Sequence, residues 1–341
     1  MKTVAIAGAS GYAGAELIRI IHDHPEFQLQ TIAAGSNSGS KLTDVHPQFA
    51  GVPALAKLVF VDTTPENLKA DLIFFALPHG QSAELIAKLP SDQAVVDLGA
   101  DYRLTDKAAW EKYYGGSYAG SFVYGIPELG QRAEIKAAKK VANPGCYATA
   151  IELGLGPVLK AGLADSNDIV VVAASGTSGA GRSAKINLLG SEVMGSMSTY
   201  KVGGTHQHTP EIEQQLTKFS GVDVKVNFTP MLAPMPRGIL ATLSVKTKAT
   251  ELELRKALVD QYDGEVFVTV LPVGQLPNTA STLGSNAVHI QVAKDDRNDR
   301  ATVFVAIDNL IKGAAGQAVQ NANIIFGFAE SAGLSAIGVA P

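Results

Sequence analysis

Near the start of the chain, the apolar run Thr3–Ala7 leads into Gly8-Ala9-Ser10-Gly11-Tyr12-Ala13-Gly14, and Leu17, Ile18 and Ile21 then recur at helical spacing. Strand, glycine turn and helix in that order open a βαβ unit, which restricts this part of the chain to a parallel α/β sheet. Gly8 allows the tight turn, Gly11 lets a pyrophosphate approach the backbone, and Gly14 lets helix and strand pack closely. Ser10, Tyr12 and Ala13 share the same loop. The spacing is G-x-x-G-x-x-G rather than the commoner G-x-G-x-x-G, so the context carries more weight than the string. A glycine turn without a ligand is the alternative.

A second strand, Leu29–Ala34, points to the kind of dinucleotide. An acidic residue at this strand's end binds the ribose 2′-hydroxyl of NAD. Here the chain runs Ala34-Gly35-Ser36-Asn37-Ser38-Gly39-Ser40-Lys41 with no acid. Ser36, Ser38 and Lys41 suit a 2′-phosphate, which predicts NADP(H); an ordinary surface loop is the alternative. Further strands are expected at Leu58–Val61, Leu72–Ala76 and Ala94–Asp97. Leu77-Pro78-His79-Gly80 then falls at the carboxyl edge of the fourth strand, where ligands bind in open parallel sheets. His79 is read as a structural or capping residue. Arg103, in Asp101-Tyr102-Arg103-Leu104, either meets an anionic substrate group or is a solvated surface arginine.

The chain has 341 residues, enough for two domains. Hydrophobic residues make up 46% and charged residues 18%, a globular composition. A net charge of −4 and the lack of a basic cluster argue against nucleic acid or a membrane surface as partner. One cysteine excludes an internal disulfide and fits a reducing compartment. Met1-Lys2-Thr3 enters a strand directly, without a signal peptide, and no apolar run reaches the ~18 residues of a membrane span. A cytoplasmic protein is expected.

That single cysteine lies in Asn143-Pro144-Gly145-Cys146-Tyr147-Ala148-Thr149, between a strand-like run (Lys140 to Asn143) and a helix-like run. A helix starting just after Cys146 would set the sulfur among unpaired amides at the positive end of the dipole, which favours thiolate and can hold an oxyanion. The alternative is a buried small hydrophobe. Downstream, Ile169–Ala174 is a strand, followed by a glycine-rich loop from Ser175 to Lys185. Arg182 and Lys185 would share a face if that loop is helical, and suit a phosphate or carboxylate. In Thr205-His206-Gln207-His208-Thr209-Pro210-Glu211, Thr209 reads as N-cap and Pro210 as the first helical residue. His208 then sits just before a helix start, which disfavours imidazolium and leaves a neutral base available. No third ligand accompanies the His-x-His pair, so no metal is expected. Strands Lys225–Pro230, Gly238–Lys246, Phe267–Leu271, Ala287–Ala293 and Thr302–Ile307, with helix Glu251–Tyr262, indicate an α+β domain with a mainly antiparallel sheet. A long helix is expected from Asp308.

An activated thiol, a histidine, cations and a nicotinamide fit thioester formation from an acyl phosphate, followed by reduction to an aldehyde. The sequence resembles N-acetyl-γ-glutamyl-phosphate reductases of arginine biosynthesis. The resemblance rests on Gly8–Gly14, Asp101–Leu104, Tyr124–Glu128, Asn143–Thr149, Ser175–Arg182, His206–Glu211 and Asp308–Ala318. It implies NADPH-dependent reduction of N-acetylglutamyl 5-phosphate, a Cys146 nucleophile, and an acid/base histidine that is either His206 or His208; the position at a helix start favours His208. It further implies cofactor contacts at Leu77, Pro78, Ser175, Gly176, Gly179 and Asn309, and substrate contacts at Arg103, Tyr124, Glu128, Arg182 and Lys185. A homo-oligomer is implied, with a Rossmann domain (1–145 with 312–341) and a catalytic/oligomerisation domain (146–311). Sister reductases acting on carrier-bound aminoadipyl phosphate or aspartyl phosphate share the chemistry. A non-catalytic NADP sensor is the reading from another class.

Overall fold

The computed structural model describes residues 1–340. The chain divides into two compact units. The first comprises Met1–Pro127, Gln131–Pro144 and Ala314–Leu334; the second comprises Glu128–Gly130, Gly145–Gly313 and the residues from Ser335 onward. The C-terminal segment from 312 is therefore divided between the units at residues 313/314 and again at 334/335.

The first unit is built on six parallel strands: β1 (Lys2–Ala7), β2 (Phe27–Ala33), β3 (Leu72–Phe75), β4 (Ala94–Asp97), β5 (Val123–Tyr124) and β6 (Lys140–Ala142). Their order is β2-β1-β3-β4-β6-β5, so the winding reverses between β1 and β3. Every residue of β3 and β4 is buried, as expected of parallel strands covered on both faces. Helix Tyr12–His22 turns Leu17, Ile18, Ile20 and Ile21 inward. Gly14 sets its distance: a Cβ there would lie 2.5 Å from the Gly8 carbonyl oxygen and 2.6 Å from Ala9 Cα.

Leu58–Val61 is not a strand. It makes two isolated bridges, Ala33 to Val61 and Lys41 to Val59. Its amides go to different partners, Phe60 to the Ser40 carbonyl and Val61 to that of Ile32, so no continuous ladder forms. Leu77–Gly80 consequently follows the third strand of the unit rather than the fourth.

The second unit carries a mixed sheet: β7 (Ile169–Ser175), β8 (Ser198–Thr199), β9 (Val226–Leu232), β10 (Ile239–Lys246), β11 (Val268–Val270), β12 (Val288–Asp295) and β13 (Arg300–Ile307). The order is β11-β12-β13-β10-β7-β9-β8. Two pairs, β7 with β9 and β11 with β12, are parallel; the rest are antiparallel. Burial alternates along β7 and β10, so one face is covered. Helix Cys146–Lys160 packs on β10 and β13 and against helices His208–Ser220 and Glu251–Tyr262. Thr250 and Glu253 close a capping box at the start of the last of these.

The helix expected from Asp308 begins later and irregularly. Asp308 Oδ1 accepts from the amides of Leu310 and Ile311, a π-helical segment runs from Ile311 to Ala315, and Gly316–Phe326 is α-helical. Within the first unit, Asn321 on that helix donates to the Gly125 carbonyl and to Asn143 Oδ1, each at 3.0 Å.

Gly14→Ala is expected to lower stability by about 1–3 kcal/mol despite alanine's better helix propensity, because backbone atoms cannot yield to the methyl. Denaturant unfolding checks this, with an unchanged midpoint contradicting it.

Candidate active site

The glycine loop of the first unit has the geometry of an anion cradle. Gly8 has φ +83°, and a Cβ on it would lie 2.3 Å from the Ala76 carbonyl oxygen. Gly11 is the N-cap of helix Tyr12–His22; no side chain caps the helix, and no acid stands in its first turn. The nearest atom to a Cβ on Gly11 would be 3.5 Å away, which leaves room for a ligand over the helix start. Ser10 and Ala13 are half-buried and Tyr12 is exposed. His46, which sequence reasoning missed, is buried with Nε2 3.1 Å from the Ala9 carbonyl oxygen. These residues fit a dinucleotide pyrophosphate.

Beyond β2, Ser36, Ser38 and Lys41 are exposed. An acid absent from the run itself is close in space: Asp44 accepts from the Lys41 amide at 3.2 Å. Leu77 is partly buried and Pro78 exposed at the carboxyl end of β3, and the loop continues through Gly80 at φ +85°. Arg103 is not a solvated surface arginine. It is 7% exposed and donates to the Leu98 carbonyl at 2.7 Å. Tyr124 is buried at the end of β5.

In the second unit the chemistry gathers at the start of helix Cys146–Lys160. Gly145 is the extended N-cap and Cys146 the first helical residue, so the helix starts on the cysteine itself. The half-buried sulfur is thus carried at the end with unpaired amides. Glu211, fully buried, fixes the turn: its Oε1 accepts from the Gly145 amide at 2.8 Å. Gly313 permits a close approach from the other side, since a Cβ there would lie 2.7 Å from Cys146 Cβ. Tyr147 donates to the Met231 carbonyl at 3.0 Å, and the Tyr200 hydroxyl donates to its oxygen at 3.1 Å. Burial raises the Tyr147 phenol far above its usual range and Tyr200 to about 12.

The two histidines have different surroundings. His206 is buried among the rings of Tyr147, Tyr200 and Phe228, with the His208 ring centroid 4.8 Å away. Its Nδ1 accepts from the His208 amide at 3.1 Å, which puts the proton of the neutral ring on Nε2. Burial, then His208 and Lys201, push its pKa down to about 2. His208 is half-buried and begins helix His208–Ser220, one residue before the expected cap. Thr209 is not the N-cap, because the His206 imidazole and the His206 carbonyl take the amides of His208 and Thr209.

The Arg182–Lys185 stretch is not helical, so the two cations share no helix face; both are exposed. Lys201, another missed residue, adds a third cation. Burial and the neighbouring Lys185 ammonium hold it below the usual lysine range. Ser175 ends β7, and the loop after it is pinned from below. Asn309 accepts from the Gly238 amide at 2.7 Å and donates to Ser178 Oγ at 3.0 Å. Gly176 and Gly179 pass too close to Arg237 and Ser175 for a Cβ. Glu128 lies away from solvent, 1% exposed, in an ion pair with the equally buried Lys312. Among the described residues no group of three His, Cys, Asp or Glu could hold a metal, and no helix is long and apolar enough to cross a membrane.

Residues 3–138 match the NAD-binding domain of semialdehyde dehydrogenases and residues 146–309 the dimerisation domain. An N-acetyl-γ-glutamyl-phosphate reductase from Acidothermus cellulolyticus is 56% identical over 342 aligned positions, covering 99% of each chain. The chain belongs to the N-acetyl-γ-glutamyl-phosphate reductase family. A reductase of the same name from Frankia casuarinae is 55% identical at the same coverage. Among solved structures, aspartate semialdehyde dehydrogenase with NADP from Candida albicans superposes with a TM-score of 0.71 at 19% identity, covering 96% of this chain and 99% of that one. Aspartate semialdehyde dehydrogenase II from Vibrio cholerae gives 0.70 at 17%, with 96% and 98% covered. At such identities these two share the fold. The family is thus an oxidoreductase family with an NAD(P)-binding unit.

His206 stays neutral when folded but binds a proton below about pH 6.5 when unfolded, so stability falls as acid is added below that point. The slope from this residue is about 1.4 kcal/mol per pH unit. Urea midpoints between pH 7 and 5 should lose this component in His206→Asn; an unchanged slope would contradict the assignment. Glu211→Ala should cost about 1–3 kcal/mol by leaving the buried Gly145 amide unsatisfied, and Glu211→Gln should recover most of it.

Proposed function

We propose that the protein reduces N-acetyl-γ-glutamyl phosphate to N-acetylglutamate semialdehyde with NADPH, releasing phosphate, as a step of arginine biosynthesis. The observation that carries the reading is Cys146 as first residue of a helix whose N-cap amide is held by Glu211. The next residue, Tyr147, packs against both histidine rings. Nothing in a purely binding role requires a lone cysteine in that setting.

In this reading His208 takes the thiol proton and Cys146 Sγ attacks the acyl carbonyl carbon. The carbon–oxygen bond to phosphate breaks, the phosphate leaves with the electron pair and receives the proton, and a thioester remains on Cys146. Arg182, Lys185 and Lys201 supply positive charge for the leaving phosphate. Amides at the start of helix Cys146–Lys160 face the carbonyl oxygen as it gains charge. NADPH, when bound, supplies the hydride that brings the acyl group to the aldehyde level. The sulfur then departs as thiolate and regains a proton from solvent through His208. His206, held neutral, sets the backbone from which His208 projects.

The Gly8–Gly14 loop would hold the pyrophosphate, and Ser36, Ser38 and Lys41 the 2′-phosphate. Residues 1–145 with 312–341 would act as the NADP domain and 146–311 as the catalytic and oligomerisation domain of a cytoplasmic homo-oligomer.

The reverse reaction tests the reading. With N-acetylglutamate semialdehyde, NADP⁺ and phosphate, NADPH should form only when phosphate is present. Activity with aspartyl or aminoadipyl semialdehyde instead would keep the mechanism and overturn the substrate. His208→Gln should lower kcat by about 10²–10⁴ with KM little changed, and His206→Gln should mainly lower stability. Ser36→Asp should shift preference toward NADH; an unchanged NADPH/NADH ratio would refute the 2′-phosphate contact.

A further inference from the structure

Under the loop that follows β3 in the first unit, two aspartates converge on one hydroxyl. Ser82 Oγ lies 2.9 Å from Asp97 Oδ2 and 3.0 Å from Asp101 Oδ2. Asp101 also accepts from the amides of Gly80, Ser82 and Ala83. A carboxyl group taking three amides and a hydroxyl acts only as an acceptor, so Asp101 is the ionised member. Asp97 is fully buried at the end of β4, and its other oxygen accepts from the Gly99 amide at 2.9 Å. Gly99 is needed for this approach, since a Cβ there would lie 2.9 Å from Asp97 Oδ1.

Ser82 has one proton for two carboxyl groups. If both were ionised, one oxygen pair at about 3 Å would face lone pair to lone pair in a buried site, an arrangement that costs free energy. A proton on Asp97 removes the conflict: Asp97 donates to Ser82, and Ser82 donates to Asp101. We propose that protonated Asp97, acting through Ser82 and Asp101, is a positioning residue for the Leu77–Ala83 loop of the dinucleotide unit, and that its ionisation loosens that loop.

The surroundings favour the neutral form. Burial, opposed by the Ser82 and Gly99 hydrogen bonds, raises Asp97 to about 7, with Asp101 adding to the rise and Arg103 opposing it. Tyr102, whose phenol is raised to about 12 by burial and then by the two aspartates, faces the same cluster. Helix Gly316–Phe326, which packs on β4, carries no charged residue. On helix Ser82–Ile86 the only charged residue, Glu84, pairs outward with Lys88. On the neighbouring strands, β3 has no charge and β6 has only Lys140, opposite Val95. The protonated arrangement is therefore present at mildly acidic pH and is lost as pH rises through the folded value.

The position of this loop in a cofactor site rests on the functional reading above; the proton does not, so two measurements separate them. In the cofactor-free protein, carbon NMR of ¹³C-carboxyl aspartate should show one carboxyl titrating near neutrality, absent in Asp97→Asn. Amide exchange at Gly80, Ser82 and Ala83, corrected for intrinsic pH dependence, should accelerate above that pH in the wild type alone. Asparagine donates to Ser82 at every pH, so it should lock the loop, whereas Ser82→Ala should loosen it throughout. The dissociation constant for NADP⁺ should weaken by about fivefold between pH 6 and 8.5 in the wild type relative to Asp97→Asn, the low end of site couplings. An Asp97 carboxyl already ionised at pH 5.5, or loop exchange with the same pH response in Asp97→Asn, would overturn the proposal. A titrating Asp97 with no NADP⁺ binding at any pH would uphold the proton and refute the cofactor reading.

Discussion

A buried carboxylate on a backbone amide holds the second unit in working order. Glu211, on the first turn of helix His208–Ser220, accepts from Gly145, the residue that caps helix Cys146–Lys160. Burying a carboxylate is costly, and the Gly145 amide that helps to compensate this one would otherwise be orphaned at a helix start. The same bond sets the register between the helix that begins with the cysteine and the helix that begins with His208. His206 is drawn in as a consequence, its imidazole taking the His208 amide while aromatic rings enclose it. Gly313 then closes over Cys146 where any larger residue would collide.

The first unit solves a different problem, that of bringing backbone close to backbone. Gly8 and Gly14 mark places where a methyl group would strike a carbonyl oxygen, and they leave the start of helix Tyr12–His22 bare. Polar side chains deeper in the unit hold main-chain turns: His46 on Ala9, Asn321 on Gly125, and Asp101 on the amides of Gly80, Ser82 and Ala83. Each fixes a loop at the carboxyl edge of the sheet, where a parallel α/β sheet places its ligands.

Much of this was legible from local pattern. The glycine string with its flanking strand and helix announced the first unit, and the single cysteine after Pro-Gly announced the turn into helix Cys146–Lys160. Glu251–Tyr262 could be bounded from its pattern because Thr250 and Glu253 cap it with their own side chains. Where the cap came from a distant or unusual group, pattern failed. Thr209 looked like an N-cap, yet Gln207 holds that position and the His206 ring accepts the first helical amide, that of His208. Leu58–Val61 had strand composition but no continuous partner. Gly313 acquires its meaning only from Cys146, far along the chain, and nothing in its own neighbourhood signals it. Arg103 showed the reverse: only its burial, which no local pattern signals, rules out the solvated-surface reading.

In the proposed reaction Cys146 carries the acyl group. Protein mixed with N-acetylglutamyl phosphate in the absence of NADPH, quenched in acid and measured by intact mass and peptide mapping, tests it most directly. One N-acetylglutamyl adduct is expected, on the Cys146 peptide, discharged by hydroxylamine and absent from Cys146→Ser. Phosphate release without that adduct, or an acyl group on another residue, would contradict it.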